Sequence, residues 1–355
     1  MPFIYLMVAV LLFFSHNSML SGRQSKLLAV LLFAYAVIRF VRAYRSKGEG
    51  LTILLILSLV FGSCNQNKGN KVSDTPTSGS IFMAVDETFL PVVEAQLDVF
   101  HAIYSTANIK PLPVPEGKAF ELLGRDSVRL ILATRTLSQE EVAYYNSKRV
   151  FPKQVQIATD GIAVLLNPEN PDSILLVSQL ASILKGEISN WSQLNTHNKS
   201  GEIDMIFDNP ASGIVRYMID SVAKTDSLSA RLNSASNCKD VLDYVAQHTN
   251  AIGLIGVSWV SDRDDTTHLS FLSKVKVARV GIQRTEACKP YQGYMAIGRY
   301  PLTRGVWLIS TDPRIGLADG FIAFAASDKG QRIILKTGIL PATAPIRLIQ
   351  VNDDY

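Results

Sequence analysis

The chain has 355 residues, of which 47% are hydrophobic and 19% charged, with a net charge of +4, a pI near 8.8 and a mean hydropathy of +0.16. A positive mean hydropathy with few charges excludes a disordered or fibrous chain, and the length suits about two domains. The basicity would suit a nucleic-acid binder only if the body of the chain carried it. Instead, residues 1–63 hold six basic residues against the single acid Glu49, and the remainder has 29 basic and 30 acidic residues, net −1. No nucleic-acid partner is expected.

Three apolar runs of about 12 residues come first: Pro2–Phe14, Leu27–Ile38 and Leu51–Gly62. A bilayer crossing usually takes roughly 18–20 residues. The third run follows Arg42, Arg45 and Lys47 and closes on Phe61-Gly62-Ser63-Cys64. A basic stretch, a short apolar core and small residues at the end describe a secretory signal. The terminal cysteine makes the segment resemble the lipobox of bacterial lipoproteins, with Phe61 where leucine is usual. The expectation is a signal peptide over 41–63 and lipidation of Cys64. The protein would then be lipid-anchored in a bacterial cell envelope and face the periplasm. Residues 1–40 are then surplus, either because translation starts near Val41 or because they form a membrane segment. Residues 64–80, with Val72 their only aliphatic residue, read as a flexible tether that reaches on the order of 50 Å when extended.

From Ile81 onward, short apolar runs alternate with helical spacing. Ser80–Val85 reads as a strand, and Thr88–Ile103 as a helix with Leu90, Val93, Leu97 and Phe100 on one face. Val128–Ala133 is a strand, Ser138–Asn146 a capped helix, Gly161–Asn167 a strand and Ile174–Leu184 a helix. Asp204–Phe207 is a strand and Ser212–Ala223 a helix. Ala251–Trp259 and Val275–Val280 are strands, and Asp319–Thr337 is one long helix before Gly338 and Pro341. Such alternation predicts an α/β fold with mainly parallel sheet.

The five histidines, His16, His101, His197, His248 and His268, have no metal-ligand spacing, and no C-x-x-C occurs, so neither metal nor cofactor is expected. Walker, G-x-G-x-x-G and G-x-S-x-G motifs are absent, and no nucleophile stands near a base at recognisable spacing. Asp262–Asp265 reads as a solvated loop, and Arg279–Arg284 as surface. Cys238 and Cys288 could form a disulfide in an exported chain or remain two buried thiols. One local feature carries binding chemistry. Asp208–Gly213 follows a strand and opens a helix, where free N–H groups favour an anion, or where Ser212 or Asn209 simply caps.

Several segments in order resemble the phosphate-binding proteins of bacterial ABC transporters. DGIAVLLNPENP (Asp160–Pro171) followed by LASILKGEISNW (Leu180–Trp191) is similar to that family's crossing strand, helix and turn. AIGLIGVSWV (Ala251–Val260) resembles its returning strand. YPLTRGVWLI (Tyr300–Ile309) and FIAFAASDKGQRIILKTGILP (Phe321–Pro341) resemble its closing strand and C-terminal helix. The resemblance spans about Ile81 to Pro341. It implies a type II periplasmic-binding-protein fold, with lobe I over 80–162 and 263–355, lobe II over 163–262, and a ligand cleft between them. It also implies phosphate or a related oxyanion as ligand and an ABC permease as partner.

Residue by residue, the resemblance assigns ligand contacts to Thr88, Phe89, Ser212 and Gly213, with Ile214 in place of a hydroxyl residue. Arg135 stands where the family has an aspartate, Asp208 where it has an arginine, and Glu116 near a family serine. Two arrangements follow. Either Arg135 pairs with Asp208 across the cleft, leaving Thr88, Ser212 and Arg216 (with Arg135 itself) to hold the anion, or Glu116 and Asp208 repel phosphate in favour of another solute. The alternatives to a transport receptor are a partner-binding or sensing lipoprotein of the same fold, and a hydrolase that reuses the cleft.

Overall fold

The computed structural model describes Tyr35 and residues 74–226, 232–261 and 271–343. The segment 1–40, the signal over 41–63, Cys64 and the Asp262–Asp265 cluster lie outside the described residues, Tyr35 excepted. The chain divides into two units, Met1–Lys71, of which only the helical Tyr35 is described, and Val72–Tyr355.

The second unit is built on strands that run into helices. Strand β1 (Gly79–Asp86) enters a 3-10 turn (Glu87–Phe89) and helix α1 (Leu90–Ile103). Pro91 sits at the helix start, where its missing N–H costs nothing. The predicted face of α1 is buried through Val93, Leu97 and Phe100, and Phe100 meets Phe321 and Phe324 edge-on at 5.4 and 5.3 Å. Burying such a ring contributes roughly 2–3 kcal/mol.

Strand β2 (Ala107–Val114) runs parallel to β1 and in register with it from Gly79↔Ala107 to Asp86↔Val114; β3 (Leu130–Ala133) flanks β1 on its other side. The carboxyl ends of three parallel strands therefore lie side by side, with α2 (Glu116–Gly124) starting just beyond β2. Neither β2 nor α2 is evident from sequence periodicity. Pro111 and Pro113 interrupt the strand pattern, and β2 accommodates them because it is an edge strand. After α3 (Gln139–Ser147), strand β4 (Lys153–Leu166) changes partners midway. Lys153–Gly161 pairs antiparallel with β11 (Thr303–Ser310), whereas Ile162–Leu166 pairs antiparallel with β8 (Ala251–Gly256).

The second half-sheet continues from β8 to the parallel β6 (Asp204–Phe207) and then to β7 (Asn233–Ser234). The expected helix over Ile174–Leu184 begins as strand β5 (Ile174–Leu176) and becomes α4 (Val177–Lys185), which ends at Gly186 in the left-handed region at φ 79°. Helix α5 (Trp191–Leu194) buries Trp191, whose Nε1 donates to Asn250 O at 2.9 Å. The helix expected over Ser212–Ala223 is α-helical only as α6 (Gly213–Tyr217) and then widens into a π-helical turn, Met218–Ala223. Helix α7 (Cys238–Gln247) packs on β8.

The strand expected over Val275–Val280 is two short ones, β9 (Lys276–Val277) on the second part of β4 and β10 (Arg279–Gly281) beside β5. Residues 276–277 thus pair with the second half-sheet, and 279–281 join β5 in a separate two-stranded sheet. After α8 (Gln292–Ala296) and β11, the single helix expected over Asp319–Thr337 is two helices, α9 (Leu317–Ala326) and α10 (Asp328–Lys336). Ser327 separates them: its backbone is extended, and its Oγ accepts the Gly330 N–H at 3.3 Å as the cap of α10. Strand β12 (Leu340–Pro341) closes on β4.

Candidate functional site

Loops that leave the carboxyl ends of parallel strands converge at one place, the usual site for ligands in open α/β sheets. Asp86 ends β1. Its Oδ1 accepts the Thr88 N–H at 3.0 Å and the Thr88 hydroxyl, and its Oδ2 accepts the Gly213 N–H at 3.0 Å. Gly213 opens α6 behind Ser212, whose Oγ caps the Val215 N–H at 3.3 Å. A Cβ on Gly213 would meet Asp86 Oδ2 and Thr134 Oγ1 at 2.7 Å and Arg304 Nη1 at 3.0 Å, so only glycine allows this approach.

Glu116, the first residue of α2, occupies the adjoining corner. Its Oε1 accepts the Thr134 N–H at 2.5 Å and the Thr134 hydroxyl at 2.6 Å, and its Oε2 accepts Arg216 Nε at 2.7 Å. Arg216 Nη2 also donates to Thr134 Oγ1 at 2.8 Å. Beneath them Arg304 of β11 faces Asp160 of β4. Its Nε and Nη2 donate to Asp160 Oδ2 at 3.1 and 2.9 Å, while its Nη1 has no partner. The Arg304 guanidinium lies 4.9 Å from the centroid of the buried Phe89 ring. Trp259 Nε1 donates to Thr88 O at 2.9 Å and holds that turn in place.

Four buried carboxyl groups (Asp86, Glu116, Asp160 and Asp208) thus share the region with two guanidinium groups, Arg216 and Arg304. Burial pushes Asp160 up to about 6 despite Arg304. Burial, reinforced by the charge of Asp86, likewise lifts Asp208 to about 6. Asp86 is raised by burial and by neighbouring Glu116, against the pull of Arg304. Burial also acts upward on Glu116, but Arg216 and Thr134 outweigh it and hold this carboxyl below its usual value. Among the described residues no group of three or more His, Cys, Asp or Glu is placed to hold a metal ion.

Of the residues singled out from sequence, Thr88, Phe89, Glu116, Ser212, Gly213 and Arg216 come together here. Arg135 does not. Its guanidinium makes a bidentate pair with Glu141, at 2.7 and 3.0 Å, and stacks 3.5 Å above Phe120. Glu141 belongs to the capping box of α3 with Ser138, so Arg135 is held on that helix start and forms no pair with Asp208. Asp208 is buried beside Cys238, whose Sγ lies 3.9 Å from Oδ2, and its Oδ1 has no hydrogen-bond partner. The possible Cys238–Cys288 disulfide is not formed. Both residues are buried, Cys238 at the start of α7 and Cys288 bridged through its backbone to Val280, and burial pushes the Cys238 thiol far up.

Sequence reasoning missed Asp86, Thr134, Asp160 and Arg304. The last two had a usable signal, since each is a lone charge inside an apolar strand, and a buried charge needs a partner.

A model of the PBP superfamily domain matches residues 70–329. The phosphate-binding protein PstS of Staphylococcus epidermidis is 22% identical over 285 residues, covering 79% of this chain and 84% of the relative. PstS of Staphylococcus aureus matches at the same identity and coverage. Among solved structures, a Clostridium perfringens protein crystallised with bound phosphate superposes at a TM-score of 0.62 with 21% identity, covering 75% of this chain and all of that one. An ABC-type phosphate transport receptor from Vibrio cholerae superposes at 0.58 with 19% identity, covering 74% of this chain and all of that one. The two half-sheets joined through β4, the helices on their faces and these superpositions define a type II periplasmic-binding-protein fold, and the chain belongs to the PBP superfamily.

Proposed function

We propose that the protein is a substrate-binding component that captures phosphate or a related oxyanion for an ABC-type importer. One observation carries this reading. Six donors (the N–H and hydroxyl of Thr88, the N–H and hydroxyl of Thr134, the Gly213 N–H and Arg216 Nε) all converge on carboxylate oxygens. A carboxylate is itself an oxyanion, so this donor set is built to receive one. The relatives named for phosphate binding support phosphate as the first candidate. In this reading the two half-sheets are lobes that close about the site, and the closed form is what a permease recognises. Acylation at Cys64 would hold the body at the membrane surface facing the periplasm; no helix among the described residues is long and apolar enough to cross a membrane. The polar groups gathered at the site are donors already matched to carboxylates, an arrangement that fits a receptor better than an enzyme.

Calorimetry and thermal-shift titration with phosphate, sulfate and molybdate test the proposal. Binding of at least one of them is expected, and no response up to tens of millimolar would sink it. A second reading, a partner-binding or sensing lipoprotein of the same fold, is favoured by one fact: side chains of the protein itself already fill the donor set.

A further inference from the structure

The groups that receive the six donors are side chains of this chain. Asp86 and Glu116 together present four oxygens, the number a tetrahedral oxyanion presents, and every one accepts a hydrogen bond. Each carboxylate also links the two halves of the sheet. Asp86 ends β1 and binds Gly213 after β6; Glu116 follows β2 and binds Arg216 of α6. Beside them, the buried Arg304 Nη1 donates to nothing. A dianion entering this space would face two carboxylates in a poorly screened interior and would find its donors taken, an arrangement that discriminates by repulsion as well as by occupancy.

We propose that Asp86 and Glu116 are built-in competitors for the oxyanion position and are the residues that set how tightly this receptor holds inorganic phosphate. The inference rests on the reading of the site as an oxyanion receptor. In the natural protein phosphate must displace both carboxylates, so it is held less tightly than the donor set alone would hold it. Removing them leaves Thr88, Thr134, Gly213, Arg216 and the spare Arg304 N–H free to hold it. Because the two side chains use different donors, each removal acts separately and the effects accumulate.

The test compares the full chain in detergent with its Asp86→Ala, Glu116→Ala and doubly substituted forms, titrating inorganic phosphate at pH 8 by calorimetry, with circular dichroism as the check on folding. Phosphate affinity is expected to rise at least tenfold in each single variant and at least a hundredfold in the double one. The shape-preserving pair Asp86→Asn and Glu116→Gln removes the charges with less disturbance, and it should still gain at least tenfold if the alanine forms fail to fold. If the natural protein binds phosphate as tightly as the variants or more so, the competitor role is wrong and the receptor reading survives. The competitor role is equally wrong if the variants gain sulfate or molybdate binding but no phosphate binding. If no form binds any of the three anions, both fall.

Discussion

Arg304 and Asp160 stand directly opposite each other on β11 and β4, with both side chains buried and the guanidinium donating twice to one carboxylate oxygen at 3.1 and 2.9 Å. The pair lies next to the point where β4 leaves one half-sheet for the other, since Gly161 and Ile162 follow immediately. It therefore fixes the floor of the site and the junction of the two halves at once. The attraction of Asp160 and Asp86 keeps Arg304 charged, outweighing the burial that favours its neutral form.

Breaking this pair leaves a charge stranded in the interior. Arg304→Met is expected to cost about 3–5 kcal/mol in urea unfolding, while joining it to Asp160→Leu should recover much of the loss. A single-variant cost below about 1 kcal/mol would show that water reaches Asp160.

Arg135 and Arg216 are both arginines that sequence reasoning offers as anion ligands, and the structure separates them. Arg135 is committed to Glu141 and Phe120, whereas Arg216 reaches Glu116 and Thr134. In a Glu116→Ala background, Arg216→Ala should weaken phosphate binding at least tenfold. Arg135→Ala should change it less than twofold and cost only about 1 kcal/mol of stability, because its ion pair is partly exposed. A large binding loss from Arg135→Ala would place that side chain back at the anion.

How much of the molecule is legible in its sequence follows from the physics of each element. The runs Met83–Val85, Leu130–Ala133 and Met205–Phe207 are buried on both faces of their strands, so these apolar stretches stand out. The edge strand Ala107–Val114 leaves Asn108, Lys110, Leu112 and Pro113 exposed, and its two prolines hide it. The C-terminal pair of helices reads as one because Ser327 is compatible with a helix interior yet caps the next helix instead. Within the site, Ser212 and Gly213 are recognisable from a local helix-start motif, and Thr88 only through the family resemblance. The Asp86–Gly213 contact spans 127 positions, and no local pattern encodes a partner that far along the chain. Arg135 is misplaced by sequence reasoning for the converse reason: its real partner, Glu141, is only six positions away and looks like an ordinary cap.

The absence of a bridge between Cys238 and Cys288 has a direct consequence. A bridge closing so long a loop would contribute several kcal/mol. Reductant should therefore leave the melting temperature of the protein unchanged. A fall of several degrees on adding dithiothreitol would show that the two thiols are joined.

The raised carboxyls give stability a definite dependence on pH. Asp160 and Asp208 lie at about 6 in the folded chain, against roughly 3.9 for an unfolded aspartate. Between these values the folded state binds more protons than the unfolded one. Their contribution is thus fully present below about pH 4, is lost as pH rises through about 6, and changes little above about 7. Glu116 runs the other way: its folded value is lowered, so its contribution is present at neutral pH and is lost as pH falls through that value. Asp208 is the cleaner probe, because no guanidinium donates to it and its Oδ1 has no partner. Asp208→Asn removes the buried charge and keeps the shape. It should therefore stabilise the protein by roughly 1–3 kcal/mol at pH 8 and by much less at pH 4, measured by urea unfolding at both values. An equal gain at the two pH values would mean that the stabilisation comes from packing, and that Asp208 is not held as a costly charge inside the site.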